Sequence, residues 1–192
     1  MSNTLSKSEQ LRQDSWSRSI NALGTSYIFQ EKARLNKTLI RVITVLSISV
    51  PLLIGATYGT YGQSTIGIVV LAVTAPITIA QVVLSGISLV YKWDEQLAYS
   101  LESLTDNRML SEQYEDIAKC PPLELREHET KYNLIKARDD FRTAQDEKIV
   151  FTSKENCKGM RYALWIKQKA CATCNIVPID MLPTKCQTCG KF

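Results

Sequence analysis

Two stretches of almost continuous apolar residues, 38–58 and 66–91, interrupt the polar texture of this chain. Between them, Gly59-Thr-Tyr-Gly-Gln-Ser-Thr65 is short, small and polar, the composition of a turn. A soluble amphipathic helix keeps one charged face, yet residues 42 to 91 contain no Asp, Glu, Lys, Arg or His. A helix of about 20 apolar residues crosses a bilayer. The block therefore predicts a two-span transmembrane hairpin over 38–91, with the lipid bilayer as its first partner. The first apolar run starts too far into the chain, and without a cleavage site, to read as a signal peptide.

Outside this block the periodicity is helical. Residues 1–37 predict an N-terminal amphipathic helix: Trp16, Ile20, Leu23 and Tyr27 share a face, and Ser6 with Glu9 fits a capping box ahead of them. Residues 92–150 predict a cytoplasmic helical hairpin. Its first arm continues the second span through Trp93, Leu97, Leu101, Leu104, Leu110, Tyr114 and Ile117, and ends at Cys120-Pro121-Pro122. The second arm starts at Pro122. It has Leu134, Ala137 and Phe141 as its apolar face, and Glu127 pairs with Lys131 one turn on. His128 sits among charged residues and reads as solvated. Residues 148–159 read as a polar linker, and Met160 to Ile166 as helix or strand.

Charge fixes an expected orientation. Lys32, Arg34, Lys37 and Arg41 precede the first span, Lys92 follows the second, and the turn between carries no charge. The positive-inside rule then places both tails in the cytoplasm. Tyr58 and Tyr61 on the outer side, with Tyr91 and Trp93 on the inner side, mark the two interfaces.

The spans carry more than aliphatic residues. Pro51 and Pro76 lie inside them and predict kinks. Thr74, Thr78, Gln81, Ser85 and Ser88 fall on one helical stripe of the second span. Thr44, Ser47, Pro51, Gly55 and Tyr58 form a similar stripe on the first, and Gly55 with Gly59 makes a close-packing pair. Two uses of the polar stripe stand side by side: helix–helix packing, or lining a pore. The second needs a homo-oligomer, because two spans enclose nothing. Gln81 is the residue on which either use turns, since an amide in mid-membrane must be paired or wetted.

Six cysteines supply the remaining chemistry. Cys171-Ala-Thr-Cys174 and Cys186-Gln-Thr-Cys189 are separated by eleven residues, the arrangement of a tetrahedral four-thiolate zinc site. Residues 160–192 therefore predict a small zinc ribbon, and with all four positions filled by protein the zinc is structural. Few large apolar residues lie beyond Cys171, so metal binding must supply the stability. Gly190 is expected to relieve strain after the second knuckle, and Cys120 and Cys157 read as buried structural thiols. The fold class is thus an all-α membrane protein with a C-terminal four-cysteine module.

No phosphate-binding glycine loop, nucleophile elbow or His/Asp ligand cluster is present, which points away from an enzyme. The hairpin, the N-terminal helix and a post-membrane helix opening with Tyr91-Lys-Trp-Asp-Glu-Gln-Leu97 resemble the SLATT effectors. The cysteine motif resembles a subgroup of that family named for it and found on mobile elements. The resemblance spans nearly the whole chain. It implies an inner-membrane effector of a bacterial anti-phage or conflict system, which forms a pore or disrupts the membrane when a sensor or signalling partner triggers it. The alternative from the residues is a membrane-anchored zinc ribbon. Its Lys167, Lys169, Lys185 and Lys191 would then grip a protein or nucleic-acid partner, and too few aromatics are present to favour the latter.

Overall fold

The computed structural model describes residues 6–62 and 64–192, with the side chains of Tyr58, Tyr61, Ile66 and Leu71 outside that description. Tyr58 and Tyr61, expected at the outer interface, thus lie outside the described side chains. Five helices occur among the described residues, and no strand: α1 Lys7–Tyr61, α2 Thr65–Tyr91, α3 Trp93–Lys119, α4 Leu125–Asp146 and α5 Ser153–Lys167. The chain divides into two compact units, one of residues 1–31 and 100–192, the other of residues 32–99.

The unit of residues 32–99 is an apolar helical hairpin. Eighteen-residue windows reach a mean hydropathy of 2.2 in α1 and 2.3 in α2, and almost none of their residues is buried. Ser64 caps α2 through the Gly67 amide. Gly67 is required there, because a Cβ would stand 2.4 Å from the Gly62 carbonyl oxygen. Both prolines lie inside their helices, Pro51 in α1 and Pro76 in α2. The expected uninterrupted passage from the second span into α3 does not occur. Lys92 adopts φ 50° and caps α2, so a new helix starts at Trp93.

The unit of residues 1–31 and 100–192 is built around polar seams. Ala22, Leu110, Tyr114, Ile117, Tyr132 and Ile135 form its main apolar cluster. Beside it, α1 and α3 meet through serines: Ser19 Oγ donates to the Ser111 carbonyl and Ser111 Oγ to the Ser19 carbonyl, both at 2.8 Å. Of the predicted stripe, Leu23 is buried while Trp16, Ile20 and Tyr27 are half-buried, on another face of α1. Tyr27 stacks on Tyr162 of α5 at 4.2 Å, and Ile20 packs near the cysteines. The Ser6–Glu9 capping box is half-formed. Ser6 Oγ accepts from the Glu9 amide, whereas the Glu9 carboxylate turns to Arg12 at 2.9 Å.

Several expectations for the second arm are corrected. Helix α4 starts at Leu125 rather than Pro122. Leu134, Ala137 and Phe141 are exposed, and the buried face is His128, Tyr132, Ile135, Arg142 and Asp146. His128 is fully buried, with Nδ1 3.3 Å from Ser8 Oγ. Its charged neighbours lie on the other sides of the helix, so composition pointed away from its real place. Arg142 makes such a face tenable. It bonds Glu102 at 2.8 Å, Asp106 at 2.9 Å, Asp146 at 2.9 Å and the Ser103 hydroxyl, so a buried charge keeps its partners. Arg18 plays the same part nearer the N-terminus, donating to Asp139 at 2.9 Å and Asp14 at 3.1 Å. Burial pushes Asp14 up, but bonds from Tyr132 and Arg18 outweigh it and hold the carboxyl below its usual range. Glu127 and Lys131 pair as expected, at 2.7 Å.

The expected linker is instead the start of a helix. Thr152 Oγ1 accepts from the Glu155 amide at 3.2 Å, and the Glu155 carboxylate accepts from the Thr152 amide at 2.7 Å, a complete capping box for α5. Met160 to Ile166 is helical. Helix α5 crosses α1 at Gly24 and Gly159, where backbones approach closely. A Cβ on Gly159 would stand 2.6 Å from the Gly24 carbonyl oxygen, and one on Gly24 would stand 3.2 Å from Gly159. Gly159→Ala is expected to lower stability by about 1–3 kcal/mol, as overpacking does, and Gly24→Ala by less. Thermal melting of the purified chain checks that order.

Candidate metal centre

Helix α5 ends at Gln168, which caps it in a left-handed conformation at φ 50°, and two knuckles follow. In the first, the Asn175 amide donates to the Cys171 carbonyl at 2.8 Å, with Asn175 at φ 55° closing the turn. In the second, the Gly190 amide donates to the Cys186 carbonyl at 3.0 Å. Gly190 serves close approach rather than the relief of strain. A Cβ there would overlap Thr184, whose amide donates to the Gly190 carbonyl at 2.8 Å.

The knuckles face each other as near copies, fifteen residues apart. Cys171 Sγ lies 3.9 Å from Cys186 Sγ, and Cys174 Sγ 3.8 Å from Cys189 Sγ. Thr173 and Thr188, at matching positions, meet at 2.6 Å. All four sulfurs lie within 4.8 Å of one another. A cation about 2.3 Å from four tetrahedral thiolates requires sulfur–sulfur edges of about 3.8 Å. The side chains present therefore fit a four-thiolate metal site. Backbone amides of Cys189 and Thr188 lower the Cys186 thiol to about 6. Burial, then the neighbouring thiols, push Cys189 up. Such a cage accumulates negative charge that a bound cation offsets.

The site is anchored on α5. Leu164 packs against Cys171 and Cys189, with Met160 and Ile20 alongside. Arg161, which spacing alone did not single out, ties the segment between the knuckles to the helix. It donates to the Asp180 carbonyl and carboxylate, each at 2.8 Å, and to the Cys189 carbonyl at 3.3 Å. Its arginine preceding a cysteine-rich loop that holds a lone acid was the available signal. Cys157 is buried as expected, and its thiol donates to the Gln187 carbonyl at 3.0 Å, beside the cage. Cys120 is exposed, a correction: it follows the last turn of α3 instead of packing under it. Among the described residues the cysteine segment is made of turns, without the strands of a ribbon.

In the hairpin, Thr74, Thr78, Gln81, Ser85 and Ser88 of α2 are half-buried, as are Gly67 and Val70. Gln81 meets α1 of the same chain: with its amide turned so that donors face acceptors, the nitrogen donates to the Leu46 carbonyl at 3.3 Å and the oxygen lies 3.2 Å from Ser47 Oγ. The threonine hydroxyls bond their own helix, Thr74 to the Val70 carbonyl at 2.9 Å and Thr78 to the Thr74 carbonyl at 3.0 Å. On α1, Thr44, Ser47, Pro51 and Gly55 are exposed. Among the described residues, a Cβ on Gly55 or Gly59 meets no atom within 4 Å, so close packing there is not seen between them.

These features define an all-helical protein, among its described residues, with two long apolar helices and, near its C-terminus, a four-cysteine cluster that fits a metal ion. Residues 12–192 match the family of mobilome CxxCx(11)CxxC proteins, and the chain belongs to that family. No curated protein and no solved structure matches it.

Proposed function

We propose that this chain is an inner-membrane effector of a bacterial anti-phage or conflict system, of the SLATT type. The hairpin spans the bilayer with both tails in the cytoplasm, and the four thiolates hold a structural zinc ion. Copies assemble, and on a signal relayed by a partner protein they open or break the membrane. One observation carries the reading. Residues 42 to 91 are uncharged and turn aliphatic side chains outward along both helices, yet α1 also displays Thr44, Pro51 and Gly55. Leu53 is 60% exposed, and Ile79 and Val82 are 65% and 66% exposed. Water does not sustain an apolar surface of that extent, and lipid does. A small and polar stripe within it is the kind of surface through which membrane helices associate.

Gln81 stabilises the hairpin by joining α2 to α1, so assembly begins from paired spans. Expression of the intact chain is expected to depolarise cells and admit dye. Gln81→Leu weakens this, while Val82→Leu, on the outward side, leaves it unchanged. Membrane-potential dyes read both. Equal toxicity from a chain lacking residues 38–91 would sink the reading. The anchored binding module has less support. Of its four lysines, Lys167 is engaged by Glu115 and Lys169 lies 4.1 Å over the Trp16 ring, leaving Lys185 and Lys191.

A further inference from the structure

We propose that the outward face of α3 and α4 is the docking surface for a second copy of this chain. This deepens the assembly reading above by naming a contact outside the spans. Helix α4 has its burial inverted: Arg142 is 4% exposed while the adjacent Phe141 is 68% exposed. Leu134 at 58% and Met109 at 47% join Phe141 along an open groove of about 420 Å³ between the two helices. The groove floor is already occupied by the Arg142 network, and turning α4 to bury Phe141 in its place would expose that charge. An apolar strip rimmed by polar groups is the usual form of a protein contact.

Charge selects the occupant. Contacts of Ser103 with Asp146, Asp106 with Arg142 and Tyr114 with Asp139 make α3 and α4 antiparallel. Glu102 and Asp106 therefore gather at one end of the groove. Arg138, one turn from Arg142 toward the other end, has no ion-pair partner among the described residues. A two-fold axis across the groove lays Arg138 of each copy on the acids of the other and sets Phe141 over Leu134 and Met109. Self-complementarity of this kind is what an isologous contact requires. An anionic lipid surface would meet the two acids head-on, which argues against the bilayer as occupant.

The test uses the full chain in its membrane, co-expressed with two different tags. A photoreactive benzoylphenylalanine replaces Phe141, and Thr130, exposed on α4 outside the groove, serves as the control position. Irradiation at 141 is expected to give a product of twice the 21.6 kDa chain mass that carries both tags. Position 130 gives none. Adding Arg138→Glu lowers the yield at least about tenfold, the effect of losing a central charged contact. Bound metal and helical circular dichroism, read in parallel, establish that the exposed Arg138→Glu variant remains folded. Absence of the doubly tagged product, a product with lipid or another protein alone, or a yield indifferent to Arg138→Glu would each overturn the proposal. Depolarisation is read separately, so cross-linked pairs without depolarisation count against the effector reading alone, and depolarisation without pairs counts against this contact alone.

Discussion

Cys171→Ser is expected to release the metal and unfold the segment after α5. The 168–192 stretch offers almost no core of its own: Ile176, Ile179 and Leu182 are exposed, and besides Pro178 and Gly190 what is buried is Cys171 and Cys189 themselves. Binding of structural zinc in small thiolate modules contributes on the order of 10–16 kcal/mol. A hydroxyl in place of one thiolate forfeits the site, and no apolar burial offsets the loss. Elemental analysis should show metal content falling from one ion per chain to near none. Limited proteolysis should then cut within residues 171–192, while α1, α3 and α4 persist on their separate cluster. Cys157→Ser is the matched control. Its thiol only donates to the Gln187 carbonyl, a bond that a serine hydroxyl can replace, so metal is retained. A Cys171→Ser chain that keeps stoichiometric metal would remove the site from this account.

Arg142→Met should destabilise the larger unit by about 3–5 kcal/mol, the cost of breaking a buried ion pair from one side. The substitution keeps the packing volume roughly constant but leaves Asp146 without its cation, with Ser103 and Asn107 donating to it at 2.9 and 2.7 Å. For a domain with a typical stability of about 5–15 kcal/mol, this is a large fraction. Urea unfolding followed by tryptophan fluorescence measures it. Adding Asp146→Asn should recover part of the loss by removing the orphaned charge. Arg108→Met, which breaks only the exposed pair with Glu112, should cost under about 1 kcal/mol. A loss from Arg142→Met no greater than that from Arg108→Met would mean the network adds nothing.

The hairpin and the cysteine cage were legible because each rests on a strong local signal, a long uncharged run and a fixed spacing of ligands. The packing of the other unit was not. Its seams use Ser15, Ser19, Ser103 and Ser111, which are fully buried but invisible to a search for apolar stripes. Helix α4 misled for the opposite reason. Leu134, Ala137 and Phe141 have the period of a core face, but the inward side is taken by Arg142 and Asp146, and only their partners on α3 make that arrangement stable. The start of α5 was hidden in a polar stretch whose Thr152 and Glu155 form a capping box. The polar residues of the α2 stripe fall on half-buried positions. Which helix the stripe meets depends on the register of the hairpin, which local spacing does not encode.

The measurement that bears most directly on the account is the sidedness of two thiols, labelled with a membrane-impermeant maleimide. Cys120 is a native exposed thiol beyond α3, and Ser64→Cys places one in the turn between the spans. In intact spheroplasts, Ser64→Cys should label at once and Cys120 only after lysis. Labelling of Cys120 from outside, or recovery of the chain in the soluble fraction with both thiols reactive only after lysis, would contradict a two-span protein with cytoplasmic tails.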